Sequence, residues 1–132
     1  MNRASALDAA RQFRDAARTA AGGIDPANQR AHHGFAWIAT SVAALEAVAG
    51  WEAAGTGANP QDALVAELAF AETIAQLTGG LPMGQNELLR PADLRLTAAA
   101  ATLAGQCADL LVRDHAAQRA ALALGLAEGR WP

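Results

Sequence analysis

The stretch Phe35-Ala36-Trp37-Ile38-Ala39-Thr40-Ser41-Val42-Ala43-Ala44-Leu45 decides the fold class of this chain. At about 100° per residue, Phe35, Ile38, Val42 and Leu45 fall within an arc of about 80°, the apolar stripe of an α-helix rather than the alternation of a strand. His33, Trp37, Ala44, Val48 and Trp51 fall on a second, nearly opposite arc. A third side carries Ala36, Ala39, Ala43 and Ala47, whose small side chains let a neighbouring helix approach closely. A helix apolar on several sides is expected at the centre of an all-α domain.

The punctuation on either side agrees. Asp25-Pro26 offers an N-cap followed by proline at the first helical position, so this second helix is expected over about 26–54. Upstream, Ser5 followed by Asp8 resembles a capping box, and a first helix over about 5–21, carrying Leu7, Ala10, Phe13 and Ala17, stops at Gly22-Gly23. Downstream, Asn59-Pro60 repeats the start signal, and Gly79-Gly80 closes a third helix over about 60–78. Residues 81–95 read as a loop with one helical turn at Pro91-Ala92-Asp93-Leu94. Two further helices are expected over about 97–112 and 114–128, the last capped by Asp114 and ended by Gly129. No strand pattern competes. The short connections predict a single domain over residues 1–132, with a four-helix-bundle-like up-down arrangement and a short extra C-terminal helix.

Composition narrows the function classes. Of 132 residues 37 are Ala, none is Lys or Tyr, and every permanent cation is one of ten Arg. A net charge of −3 with scattered arginines gives no basic field for phosphates, so no nucleic-acid partner is expected. Without lysine there is no Schiff-base chemistry. The single Cys107, in an Ala/Leu-rich stretch, reads as a buried inert thiol and fits a reducing compartment. Met1 to Ala10 has no continuous apolar core of a secretory signal. The longest run free of Asp, Glu and Arg, Ala31 to Leu45, is shorter than the roughly 20 apolar residues of a membrane span. A soluble, cytoplasmic protein without a membrane partner is the expectation.

Candidate chemistry is sparse. His32 and His33 are adjacent and point about 100° apart, and neither Glu46 nor Glu67 has a histidine three residues on, so the helical-bundle metal pattern is missing and no metal is expected. His33 is expected to pack on Trp37 one turn later. Ser5 and Ser41 lie at a presumed cap and in mid-helix, away from any strand-turn-helix elbow, and no catalytic residue is assigned. Glu67 extends the apolar stripe of Phe70, Ile74, Leu77 and Leu81; a carboxylate there needs water or a partner, because an unpaired buried charge costs several kcal/mol. Gln85, Asn86, Glu87 and Arg90 gather polar side chains into one loop. They read either as structural, capping helix ends with Arg90 paired to Glu87 or to a neighbouring carboxylate, or as a contact for another subunit, another domain or an anionic ligand. A pocket lined by His33, Trp37, Trp51 and Glu67, holding an acyl-CoA-like small ligand, is the alternative reading. A self-associating homodimer, needed by a helix apolar on two faces, is another.

Two segments carry a resemblance. Ala31-His32-His33-Gly34-Phe35-Ala36-Trp37-Ile38-Ala39-Thr40 and Gly79-Gly80-Leu81-Pro82-Met83-Gly84-Gln85-Asn86-Glu87-Leu88-Leu89-Arg90-Pro91-Ala92-Asp93-Leu94 resemble a helical region found ahead of the catalytic core in methylsuccinyl-CoA-dehydrogenase-like bacterial acyl-CoA dehydrogenases. The similarity runs from about Ala20 to Leu96. It implies a place in acyl-CoA metabolism beside a core that binds FAD and the thioester, met in cis or in trans. It places no flavin contact and no catalytic carboxylate on these residues, so this chain itself is expected to bind no cofactor.

Overall fold

The computed structural model describes residues 2–55 and 59–130. It is all-α: α1 (Arg3–Ala21), a 3-10 turn (Pro26–Asn28), α2 (Gln29–Ala53), α3 (Pro60–Gly79), a two-stranded hairpin of β1 (Leu81–Pro82) and β2 (Leu88–Leu89), a 3-10 turn (Pro91–Leu94), α4 (Thr97–Gln106), α5 (Ala108–Leu111) and α6 (Ala116–Ala127).

Side-chain caps build some of these boundaries. Asn59 caps α3 as its sequence position predicts, accepting the Gln61 N–H at 3.0 Å; Asp25 accepts the Ala27 N–H at 2.8 Å but caps the 3-10 turn rather than α2, and Asp114 accepts the Ala116 N–H at 2.8 Å from one residue before His115, the N-cap of α6. The first helix starts earlier than expected: Asn2 is its cap, accepting the Ser5 N–H at 2.9 Å and the Ser5 hydroxyl at 3.0 Å, so Ser5 is a first-turn residue. Gly22, at φ +70°, ends α1 in the left-handed conformation that favours glycine.

Three expectations change. The loop after α3 contains a short antiparallel ladder, Leu81 opposite Leu89 and Pro82 opposite Leu88, continued by Met83 N–H donating to the Glu87 carbonyl at 2.9 Å. Two residues per strand are too few to register as period-two alternation. The helix expected over 97–112 breaks at Cys107, just after Gly105, a poor helix former; the Leu110 N–H donates to the Cys107 carbonyl at 2.9 Å as α5 begins. And α2 is not central. Its Ile38, Val42 and Leu45 are buried, but Ala36, Ala43, Ala47 and Trp37 are exposed and Ala39 is half-buried. Among the described residues, no helix covers Ala36, Ala43 and Ala47.

The centre is α3. It packs against α1, α2, α4, α5, α6 and the hairpin, and its Phe70 and Ile74 are fully buried. The difference lies in where the large side chains point: α3 buries Phe70, Ile74 and Leu77 together with the small Ala66 and Ala71, whereas α2 buries Ile38, Val42 and Leu45 and leaves Trp37 in solvent. By length and composition the helical segment Pro26–Ala53 is long and apolar enough to cross a membrane, which the shorter charge-free run Ala31 to Leu45 did not suggest. In this fold its inward stripe packs on α1 and α3.

Candidate functional site

The two segments of the resemblance, nearly forty residues apart in sequence, meet in space. Gly34, on the inner side of α2, is the contact point: a Cβ there would sit 2.9 Å from Leu89 Cδ1 and 3.3 Å from Leu94 Cδ1. A glycine at this position lets β2 and the following 3-10 turn close onto α2, and Leu81, Leu89 and Leu94 are buried beneath. Arg30, one turn before Gly34, donates from Nη1 to Glu87 Oε1 at 3.0 Å and ties the hairpin to the start of α2.

Outside this closure lies an open groove of about 600 Å³ lined by Gln29, Arg30, His32, His33 and Glu87. His33 stands edge-on to Trp37, with ring centroids 6.4 Å apart and planes at 82°, as expected for residues one turn apart. The His32 Nε2 is bonded to the Gly23 carbonyl oxygen at 2.8 Å, which pins the α1–α2 connection to the helix. Gln85 and Asn86 are exposed at the hairpin tip, and Arg90 is exposed beyond it. Glu87 pairs with Arg30, while at Arg90 it is the backbone that engages a carboxylate: its N–H donates to Asp93 Oδ2 at 2.8 Å, and the Asp93 N–H returns to the Arg90 carbonyl at 2.9 Å.

Trp51 and Glu67 belong to the other end of the molecule. With a rise of about 1.5 Å per residue, Trp51 lies about 27 Å along α2 from His33. The four residues His33, Trp37, Trp51 and Glu67 therefore do not converge on one pocket. Glu67 lines a polar cleft of about 430 Å³ with Asn2, Arg3, Glu52, Leu110 and Arg113. Its partner is Arg113, which donates from Nη1 to Oε1; His115 Nδ1 stands 3.9 Å from the same oxygen. Arg3 grips Glu52 with Nε at 2.7 Å from Oε2 and with Nη2 on Oε1, and the hydrogen bond to Glu52 pushes the Arg3 guanidinium's pKa up. A flavin pyrophosphate needs cations or helix-start amides to spare, and both arginines of this cleft are already engaged by carboxylates, so the donor set does not fit FAD. Among the described residues no three His, Cys, Asp or Glu side chains converge as a metal set.

Two further features lie outside these clefts. Glu46 on α2 accepts from Arg11 Nε at 2.8 Å; that hydrogen bond, aided by Arg14, holds its carboxyl below the usual range. Cys107 is fully buried, and burial pushes its thiol pKa up, away from the reactive thiolate.

The chain matches no known protein-family model, and no solved structure matches it. Over 70 residues it is 37% identical to the (2S)-methylsuccinyl-CoA dehydrogenase of Cereibacter sphaeroides, a match covering 50% of this chain and 13% of that enzyme. The chain thus spans a small part of the relative it matches, and the likeness is to a fragment of an acyl-CoA dehydrogenase.

Proposed function

We propose that this chain is a non-catalytic helical domain or small subunit associated with an FAD-dependent acyl-CoA dehydrogenase, acting in assembly or in shaping the approach to its active site. The observation that carries the reading is the 37% identity over 70 residues to a methylsuccinyl-CoA dehydrogenase. The closure of the hairpin on Gly34 supports it, because it makes one preformed unit of the two resembling segments and turns Gln85, Asn86, His33 and Trp37 outward. Such a unit costs little ordering entropy when it docks. FAD and the thioester belong to the catalytic core in this reading, and the compartment is the cytoplasm.

Copurification tests it. Tagged chain coexpressed with the catalytic core of such a dehydrogenase is expected to retain the core, and a covalent fusion is expected to change the KM for the acyl-CoA. A core that neither copurifies nor changes kinetically in the fusion would overturn the reading. A ligand-binding role for the groove beside His33 and Trp37 makes a different prediction: tryptophan fluorescence responds to acyl-CoA thioesters without any core present.

A further inference from the structure

The last helix is attached by unusual means. The positions of α6 that face inward are Gln118, Leu122 and Gly125, continuing the line of His115 at its N-cap. Only one of those four is an apolar side chain of any size. The other two leucines of the helix are more than half exposed, Leu124 at 54% and Leu126 at 56%. Gly125 rides directly on the Gln61 side-chain amide of α3, where a Cβ would come within 2.4 Å of Nε2.

The seam beneath α6 is also poorly satisfied. Among the described residues, Gln61 Oε1, His115 Nδ1 and Gln118 Oε1 are buried side-chain atoms with no hydrogen-bond partner in the protein, and all three lie on this one seam. Buried polar atoms left unpaired work against the packing that hides them. What holds α6 to α3 is polar and peripheral: Arg119 on Glu72, and Asn59 Nδ2 donating to the Arg130 carbonyl at 3.4 Å, while at the N-cap His115 Nε2 is bonded to the Leu110 carbonyl oxygen at 2.9 Å. The Arg119 and Glu72 side chains are each about half exposed, at 55% and 51%, so salt screens them.

We infer that α6 is a releasable strap, held across α3 by the Arg119–Glu72 ion pair over an unsatisfied polar seam, which lifts off as a unit while α1 to α5 stay folded. The exposed residues Val112, Arg113 and Asp114 between α5 and α6 are the hinge. Release gives Gln61 Oε1, Gln118 Oε1 and His115 Nδ1 water for the partners these atoms lack, and it uncovers the strip of α3 from Gln61 to Glu72. This inference rests on the packing of the chain alone and does not depend on the dehydrogenase reading.

Native-state hydrogen exchange of the full chain, read by peptide mass spectrometry, tests it. Amides of residues 116–127 are expected to exchange at least about tenfold faster than those of α3 and α4. Raising salt from about 20 mM to about 500 mM is expected to accelerate α6 alone. Gln118→Met, which removes an orphan acceptor at similar volume, is expected to slow exchange of α6. Protection of α6 equal to that of α3, or exchange unchanged or accelerated in the methionine variant, would overturn the inference.

Discussion

Two helices, α2 and α6, lie against α3 from different sides, and they dock by opposite chemistry. Helix α2 inserts Ile38, Val42 and Leu45, each buried, and leaves Ala36, Ala43, Ala44 and Ala47 in solvent. Helix α6, with His115 at its N-cap, turns in Gln118, Leu122 and Gly125 and leaves Leu124 and Leu126 more than half exposed. Both segments are rich in alanine, so alanine content alone does not predict how a helix is attached. What counts is which side chains the inward stripe carries, because apolar area is what separates a helix of the core from a helix on the core.

The largest effect expected from breaking this contrast is at the shared support. Ile74→Ala, at a fully buried site of α3, is expected to cost about 3 kcal/mol in urea unfolding, as large-to-small changes in cores do. Leu122→Ala, at a half-buried position of α6, is expected to cost about 1 kcal/mol or less, and to show as faster exchange of α6 rather than earlier global unfolding. Equal losses at the two positions would erase the distinction.

A smaller effect is expected where α2 meets the hairpin. Gly34→Val drives a branched side chain into Leu89 and Leu94 and is expected to cost about 2 kcal/mol in thermal unfolding. Gly34→Ala is expected to be nearly neutral, since a gain of about 1 kcal/mol in helix propensity offsets the strain on the Leu89 methyl. A neutral Gly34→Val would mean that the hairpin is not seated on α2.

The ion pair flanking α2 gives a pH signature. The Glu46 carboxyl, held low by Arg11, binds its proton less readily folded than unfolded, so its contribution is present above the ordinary carboxylate range and is lost as pH falls through the lowered folded value. Wild type is therefore expected to be more stable than Glu46→Gln at neutral pH, and the gap to close as pH falls. A gap that widens toward acid would contradict the assignment. The smallest expected effect is at Cys107: its buried thiol should react with a thiol reagent only on opening of the core, so salt that frees α6 should leave the labelling rate unchanged.

Sequence legibility follows the range of the interaction. The side-chain hydrogen bonds of Asp25, Asn59 and Asp114, the stop at Gly22 and the His33–Trp37 contact are set within a turn or two of the chain, and residue types announce them. The partner that Glu67 requires is predicted in kind, but Arg113 is 46 residues away and nothing local selects it. The Arg30–Glu87 pair, at a separation of 57, is equally invisible. The central position of α3 is hidden for another reason: a wheel shows which faces of a helix are apolar, whereas the competition among helices for the core depends on the size of every other helix's side chains. Gly34 offers a usable signal, since a glycine interrupting the buried stripe of a helix marks a close approach.

The reading of this chain as a docking domain is tested most directly by calorimetric titration into the catalytic core of a methylsuccinyl-CoA-type dehydrogenase. The account predicts saturable binding that weakens at least about tenfold for Gly34→Val, a difference of about 1.4 kcal/mol. It predicts no such weakening for Leu122→Ala, which alters only the strap. A flat titration with folded chain and folded core would contradict it.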